Sequence, residues 1–209
     1  IETVGNPNLS VGWQYVLLEN FTDTGVDVAW TGTHGWSARA MSGEPLTPAE
    51  LMPLFEAARW APSAHNFQPW RMLYALRGTP HWQRFFDLLN PSNQVWAQRG
   101  GALVLFIARH HFDNGKPCPT HSYDAGAAWL SFALQAFANG LAVHGLQGFD
   151  YARARIELAV PEAFSVEAMA VVGRPGEPAQ LPEDLQRREA PNDRRPLAQT
   201  VCEGGYSLG

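Results

Sequence analysis

The run GALVLFIA, residues 101–108, carries no polar side chain over eight positions. That length suits a strand, and a strand without a polar face has to be covered on both sides. It is therefore expected at the centre of a sheet, with its neighbours pairing to it or packing on it. Thr47-Pro48-Ala49-Glu50 is a capping box with proline at the first helical position. Leu51, Leu54, Phe55 and Ala58 then fall on one helical face, and Pro62 ends the helix near Trp60. WRMLYAL (70–76) reads as a strand, and Thr79-Pro80 as the cap of a second helix reaching about Leu89. The segment 109–121 is polar, with two prolines. A long helix from about Tyr123 to Ala138 closes on Asn139-Gly140. LAVHGLQG gives a strand or buried extended segment, Asp150 caps a short helix to Ala159, and VEAMAVVGRPG is the last strand. This order is that of an α+β protein. Residues 1–33 read as an irregular N-terminal arm with one or two short strands, and 34–174 as one domain. Residues 175–209, rich in Pro, Glu and Arg over most of their length, read as an extended C-terminal arm contributing to the same domain.

Apolar residues make up 45% of the 209-residue chain and charged residues 17%, the balance of a globular protein. The net charge of −5 argues against nucleic acid or an anionic membrane as partner. Lys116 is the one lysine among fifteen basic residues, which is read as base composition. Cys118 and Cys202 make no disulfide framework, and no apolar run reaches membrane length. The first residues carry no signal-peptide pattern, so the sequons at Asn8 and Asn20 are read as chance and a cytoplasmic location is expected. No G-x-G-x-x-G follows a strand, there is no P-loop, and GWSAR lacks the second glycine of a nucleophile elbow.

ARWAPSAHNFQPWRML (58–73) packs Pro62, Ser63, Ala64, His65, Asn66, Phe67, Gln68 and Pro69 between the first helix and the strand at 70. Ordinary connections are built mainly from Gly, Asp and Asn. This stretch resembles the signature of the FMN-dependent nitroreductase family: a helix, Ala-Pro-Ser-small-x-Asn-x-Gln-Pro-Trp, then a strand. SYDAGAAWLSFALQAFANGLAVHGLQGFD (122–150) is similar to the family's Asp-Ala-Gly-Ala-Ala helix, its Gly-Leu turn and its flavin-facing segment, and NDRRPLAQTV (192–201) to its Arg-Arg-Pro-Leu segment. The likeness spans about residues 34–200.

The resemblance implies a three-layer α+β fold with a central mixed or antiparallel sheet flanked by helices. It also implies an intertwined homodimer with FMN at two interface sites. Pro62, Ser63, Ala64 and Asn66 match the loop that touches the flavin from one subunit, with Gln68 in the same motif. Asn93 falls near the flavin's pyrimidine edge, and Gln147 and Gly148 match the pair over the ring near N5. Arg194 or Arg195 matches the basic residue that binds the phosphate. In GWSAR, Ser37 and Arg39 match the family's Arg-x-Ser-x-Arg/Lys, but Gly35 stands at the first Arg. That removes one usual phosphate ligand, which His34 or the second arginine of the 194–195 pair would replace. Trp96 stands where a basic residue often sits.

These residue types suit the cofactor. Arginine's planar fork donates two hydrogen bonds to phosphate oxygens. Ser37 and Ser63 can bond phosphate or ribityl oxygens, and Arg39 is the candidate cation for the N1/O2 edge. Gly148 allows close backbone approach to the ring. The implied reaction moves hydride from NAD(P)H through FMN N5 to a small conjugated acceptor, a nitroaromatic or a quinone, in a ping-pong cycle. No side chain need be catalytic.

Plainer readings compete. Residues 62–69 alone read equally as a structural turn, and Arg194-Arg195 as a solvated pair. The small residues Gly126, Ala127, Ala128 and Ala133 read as intrachain core or as dimer contact. His110, His111, Cys118 and His121 lack the second close pair of a structural zinc site, so no metal is expected and the segment is read as shaping substrate access. His144 reads as a satisfied core histidine and His65 receives no catalytic role; most of the eight tryptophans read as core or interface, with Trp36 or Trp96 as a candidate to stack near the ring. The competing functions are a flavin store or sensor without turnover, and a dimer that keeps the fold but binds no flavin.

Overall fold

The computed structural model describes residues 37–190 and 194–207; the one or two short strands expected in the arm 1–33, with His34, Gly35 and Trp36, lie outside them. Helix α1 spans Pro48–Arg59. It begins as expected: the Thr47 hydroxyl accepts from the Glu50 N–H (3.4 Å), and Glu50 Oε2 accepts from the Thr47 N–H (2.9 Å). Four strands follow in the order β1 (Trp70–Leu76), β2 (Ala102–Arg109), β3 (Ala142–Leu146) and β4 (Phe164–Gly173). They form one sheet in the spatial order β1-β2-β4-β3. Every pairing is antiparallel, which resolves the expected mixed or antiparallel sheet among the described residues.

The apolar run occupies the interior. Seven of the eight residues of β2 are buried, and the strand is paired along both sides. Period-two alternation splits its side chains between two cores. Ala102, Val104 and Phe106 meet Leu51, Leu54 and Ala58 of α1, and Phe132 and Ala136 of α4 (His121–Ala138). Leu103, Leu105 and Ile107 meet Phe85, Trp96, Phe149 and Leu185 on the other face. The sheet is therefore the middle of three layers.

Two local expectations are corrected. The second helix (α2) is only Trp82–Phe86. Thr79 does not cap it; its hydroxyl turns back to donate to the Leu76 carbonyl (2.8 Å). After Leu89, which bridges to Phe149, the chain restarts as α3, Pro91–Ala97, a helix missing from the sequence reading. Its signal was present: Asn90 is extended (φ −60°, ψ 148°), as a residue before proline prefers, and Pro91 stands at the first helical position. Helix α4 begins two residues earlier than expected, at His121, and ends on Gly140 at φ 72°. Helix α5 (Tyr151–Glu157) is capped by Asp150, whose Oδ1 accepts from the Arg153 N–H at 2.9 Å. The C-terminal arm is extended apart from short turns and α6 (Glu183–Gln186).

Candidate functional site

The residues singled out in sequence fall largely into two groups, at opposite edges of the sheet and towards the same end. The first is the loop leading into β1. Ser63 holds it by accepting the Gln68 N–H on its hydroxyl (2.9 Å) and the Asn66 N–H on its carbonyl (3.0 Å). The Gln68 amide donates to the Asn66 carbonyl (3.0 Å) and to Asn66 Oδ1 (3.2 Å). Such closure forces unusual backbone: His65, Asn66 and Gln68 have φ of 53°, 54° and 52°. Asparagine tolerates the left-handed region, but for other side chains it costs about 1–2 kcal/mol each. Three such residues in four positions put this loop among the strained segments that collect at binding sites.

A buried carboxylate from outside the loop helps to hold this strain in place. Asp124, 3% exposed on the first turn of α4, accepts the Ala64 N–H and the Thr120 hydroxyl, each at 3.2 Å. Asp124 lies within the motif quoted from the sequence but was assigned no role there. The segment 109–120 packs beside the loop: the Phe112 ring meets Phe67 edge-on (4.9 Å between centroids) and His65 at 6.0 Å, and the Arg109 N–H donates to the Pro69 carbonyl (2.9 Å). That segment is a hairpin closed by the Phe112 N–H to Lys116 carbonyl bond. Among the described residues, no group of three or more His, Cys, Asp or Glu is placed to hold a metal ion.

The second group surrounds the exit of β3. Asn93 on α3 donates its amide to the Gly148 carbonyl (3.0 Å), and the Asn90 N–H donates to the same oxygen (3.0 Å). A Cβ on Gly148 would lie 2.5 Å from Asn93 Nδ2, so a side chain there would displace the Asn93 amide from its bond to the Gly148 carbonyl. Asn93 keeps its own carbonyl oxygen uncommitted among the described residues. Gln147 is exposed next to it. Ser37 lies along β3: its hydroxyl donates to the Val143 carbonyl (3.1 Å), and its carbonyl accepts from His144 Nδ1 (2.7 Å). His144 is 9% exposed and packs against the Trp96 ring, 4.6 Å between centroids and tilted 60°. Burial, and then the charge of Arg39, push its pKa down to about 4, so it is a neutral core histidine. Trp96 is 1% exposed, so of its two readings it is core and not a ring-stacking residue.

Arg39 has the chemistry of an anion ligand. Its side chain is 20% exposed, and its guanidinium faces Glu189 Oε2 at 3.9 Å, beyond hydrogen-bonding distance. Among the described residues it makes no side-chain hydrogen bond, so its donor fork is open. Burial and the nearby Arg188 lower its pKa, while Glu189 opposes them. Glu189 was not singled out in sequence, because no motif surrounds it. Arg194 and Arg195 are exposed on the C-terminal arm.

Strand order sets the distance between the groups. β1 and β3 are separated by β2 and β4, three strand spacings or about 14 Å.

A three-layer α+β fold with this pair of loops defines a class of protein, and comparison with known proteins gives the family. The family model described as "Nitroreductase family" matches residues 36–95. A solved structure described as an oxidoreductase containing FMN is 39% identical, with a TM-score of 0.85, over 91% of this chain and 97% of that one. A nitroreductase family protein from Clostridium difficile 630 shares the fold at 20% identity, with a TM-score of 0.63 over 83% of this chain and 95% of its own. An uncharacterised 15.4 kDa protein of Mycolicibacterium smegmatis is 31% identical over 115 residues, 53% of this chain and 75% of that protein. The chain belongs to the nitroreductase family.

Proposed function

We propose that the protein is an FMN-dependent oxidoreductase that moves hydride from NAD(P)H to a small conjugated acceptor, a nitroaromatic or quinone, with donor and acceptor using one face in turn. The observation that carries this reading is the likeness, over nearly the whole chain, to an oxidoreductase containing FMN. The residues fit the cofactor. Arg39 offers open guanidinium donors beside β3, Asn93 an uncommitted amide oxygen, and Gly148 a backbone free of a side chain. FMN, when bound, supplies a ring that accepts and returns hydride at N5. The chain's part is to bind and orient: Gln147 and Gly148 at the N5 side, Asn93 at the pyrimidine edge, Arg39 at N1/O2, and Ser37 with Arg194 or Arg195 towards the phosphate. The loop of Pro62, Ser63, Ala64, Asn66 and Gln68 would close the ring from the other subunit.

A homodimer follows from the same reading. The two groups lie at opposite edges of one chain's sheet, and a two-fold partner would bring one edge of each copy together. An exposed apolar stripe supports this: Tyr123, Leu130 and Phe137 on α4 are 82%, 46% and 41% exposed at seven-residue spacing, along one helical face. No helix among the described residues is long and apolar enough to cross a membrane; cytoplasmic residence belongs to the proposal.

The test is the visible absorption spectrum of the purified, FMN-loaded protein, followed anaerobically as NAD(P)H is added. Flavin bands that bleach, then return with menadione or a nitroaromatic, support the oxidoreductase. Bands that persist favour a flavin store or sensor. No uptake of FMN at all overturns the reading. Ser63→Ala with Asn66→Ala should lower flavin content; unchanged content removes the loop from the site.

A further inference from the structure

Glu189 is the least expected charge in the molecule. Its side chain is fully buried, three residues after the end of α6. Oε1 accepts two backbone N–H groups, Arg39 at 2.6 Å and Ala40 at 2.7 Å, from a segment about 150 positions away. Oε2 has no hydrogen-bond partner among the described residues. The cation nearest to it is Arg39, 3.9 Å away.

If the role were only to tie two segments together, a glutamine would serve. Its carbonyl accepts the same two N–H groups, and burying it avoids the desolvation a charge requires. What the carboxylate adds is a negative charge, with no hydrogen bond spreading it at Oε2, facing a guanidinium whose donors are open. Charges this close in a poorly solvated site act strongly on whatever the guanidinium serves. Arg188, exposed on the adjacent position, pulls in the opposite sense, disfavouring the Arg39 charge.

We propose that Glu189 is a positioning and tuning residue of the flavin site: its Oε1 fixes the backbone at Arg39 so that the guanidinium faces the N1/O2 edge, and its negative charge offsets part of the Arg39 charge felt there. The inference rests on the reading of Arg39 as the cation at that edge. A lone arginine there favours the negative charge a reduced flavin carries and raises the reduction potential. Glu189 holds that potential lower, leaving the reduced site a stronger donor to its acceptor.

The experiment is an anaerobic potentiometric titration of FMN-loaded wild type, Arg39→Gln, Glu189→Gln and Glu189→Ala, with FMN dissociation constants measured alongside. Glu189→Gln keeps the acceptor and loses the charge. It should bind FMN within about threefold of wild type and shift the redox equilibrium about tenfold towards reduced flavin, close to 30 mV upward for a two-electron couple. Arg39→Gln should shift the potential downward. Glu189→Ala loses the latch and should weaken FMN binding at least about tenfold. If Arg39→Gln lowers the potential and Glu189→Gln leaves it unchanged or lowers it, the inference is overturned and the reading of Arg39 stands. If Arg39→Gln moves nothing, that reading falls and takes the inference with it. Should Glu189→Ala fail to fold, Glu189→Gln still decides, because it preserves the shape and both N–H contacts.

Discussion

The loop before β1 and the assembly around β3 serve one proposed ligand, yet they are built in opposite ways. The β1 loop is contiguous. It holds its shape mainly by bonds within 62–69, with the Asp124 carboxylate from α4, the Arg109 N–H and the Arg71 guanidinium bonding it from outside, and it places ordinary side chains in left-handed backbone. The β3 assembly draws on residues 37–40, 90–93, 147–148, 174–176 and 189, and at Gly176 it uses glycine where two backbones touch. One stores strain locally; the other depends on register between distant segments. Exchanges between glycine and a side chain should therefore differ greatly in cost between the two sides.

The strongest break is expected at Gly176. A Cβ there would sit 2.4 Å from the Met41 carbonyl carbon and 2.6 Å from its oxygen, and neither backbone atom can swing aside. The Met41–Pro175 bridge and the bond from the Gly176 N–H to the Ala40 carbonyl (2.9 Å) would part. Gly176→Ala should cost about 3 kcal/mol in urea unfolding and weaken FMN uptake through the displaced Arg39. A variant with wild-type stability would show that the 40–42 segment is not held by this contact.

The next effect separates the two sides by pH. His144 lies only on the β3 side, with its pKa depressed to about 4 by burial and by Arg39. A histidine with a depressed folded pKa leaves stability untouched above its unfolded pKa. Below that, the unfolded chain binds the proton and the native one does not, so stability falls with pH until the folded pKa is passed. Between pH 8 and pH 5 this amounts to about 2 kcal/mol for the values in play. His144→Gln should flatten that part of the stability profile; an unchanged acid limb would mean that His144 is not the group responsible.

The same contrast decides what the sequence could disclose. Capping boxes, the apolar run and the 62–69 motif are local, and α1, β1, β2 and that loop were legible from residues close together in the chain. Asn90-Pro91 was an equally local signal for α3, but seven residues after the expected end of the second helix at Leu89 carry little periodicity of their own; the chain turns there because Leu89 pairs with Phe149, a contact no nearby residue announces. Arg39 was recognisable from its motif, but Glu189 was not. Its partners are two backbone N–H groups about 150 positions away, and backbone leaves no trace in the residue letters. Of the two readings open for Trp96, core or a place near the ring, burial on α3 against His144 gives the first.

On the β1 side the larger prediction concerns Asp124. Asp124→Ala would leave the Ala64 N–H and the Thr120 hydroxyl without their acceptor, at a cost of about 1.5 kcal/mol. Asp124→Asn, which keeps an acceptor oxygen, should cost less. Equal losses in thermal or urea unfolding would assign the effect to the buried charge rather than to the hydrogen bonds.

The smallest effect is the one that most sharpens the contrast. At an ordinary helical position glycine costs about 1 kcal/mol relative to alanine. At His65, with φ 53° and ψ 23°, glycine removes a left-handed penalty of similar size while adding freedom to the unfolded chain. The two nearly cancel, so His65→Gly should match wild type within about 0.5 kcal/mol. Its ligand affinity should nonetheless fall several-fold, because a loop no longer confined by its own side chains must be ordered when FMN binds. A loss of stability comparable to Gly176→Ala would mean that His65 contributes packing, through its edge contact with Phe112, and that the left-handed backbone is not the constraint. Unchanged stability with weakened binding would identify the strain in this loop as pre-organisation for its ligand.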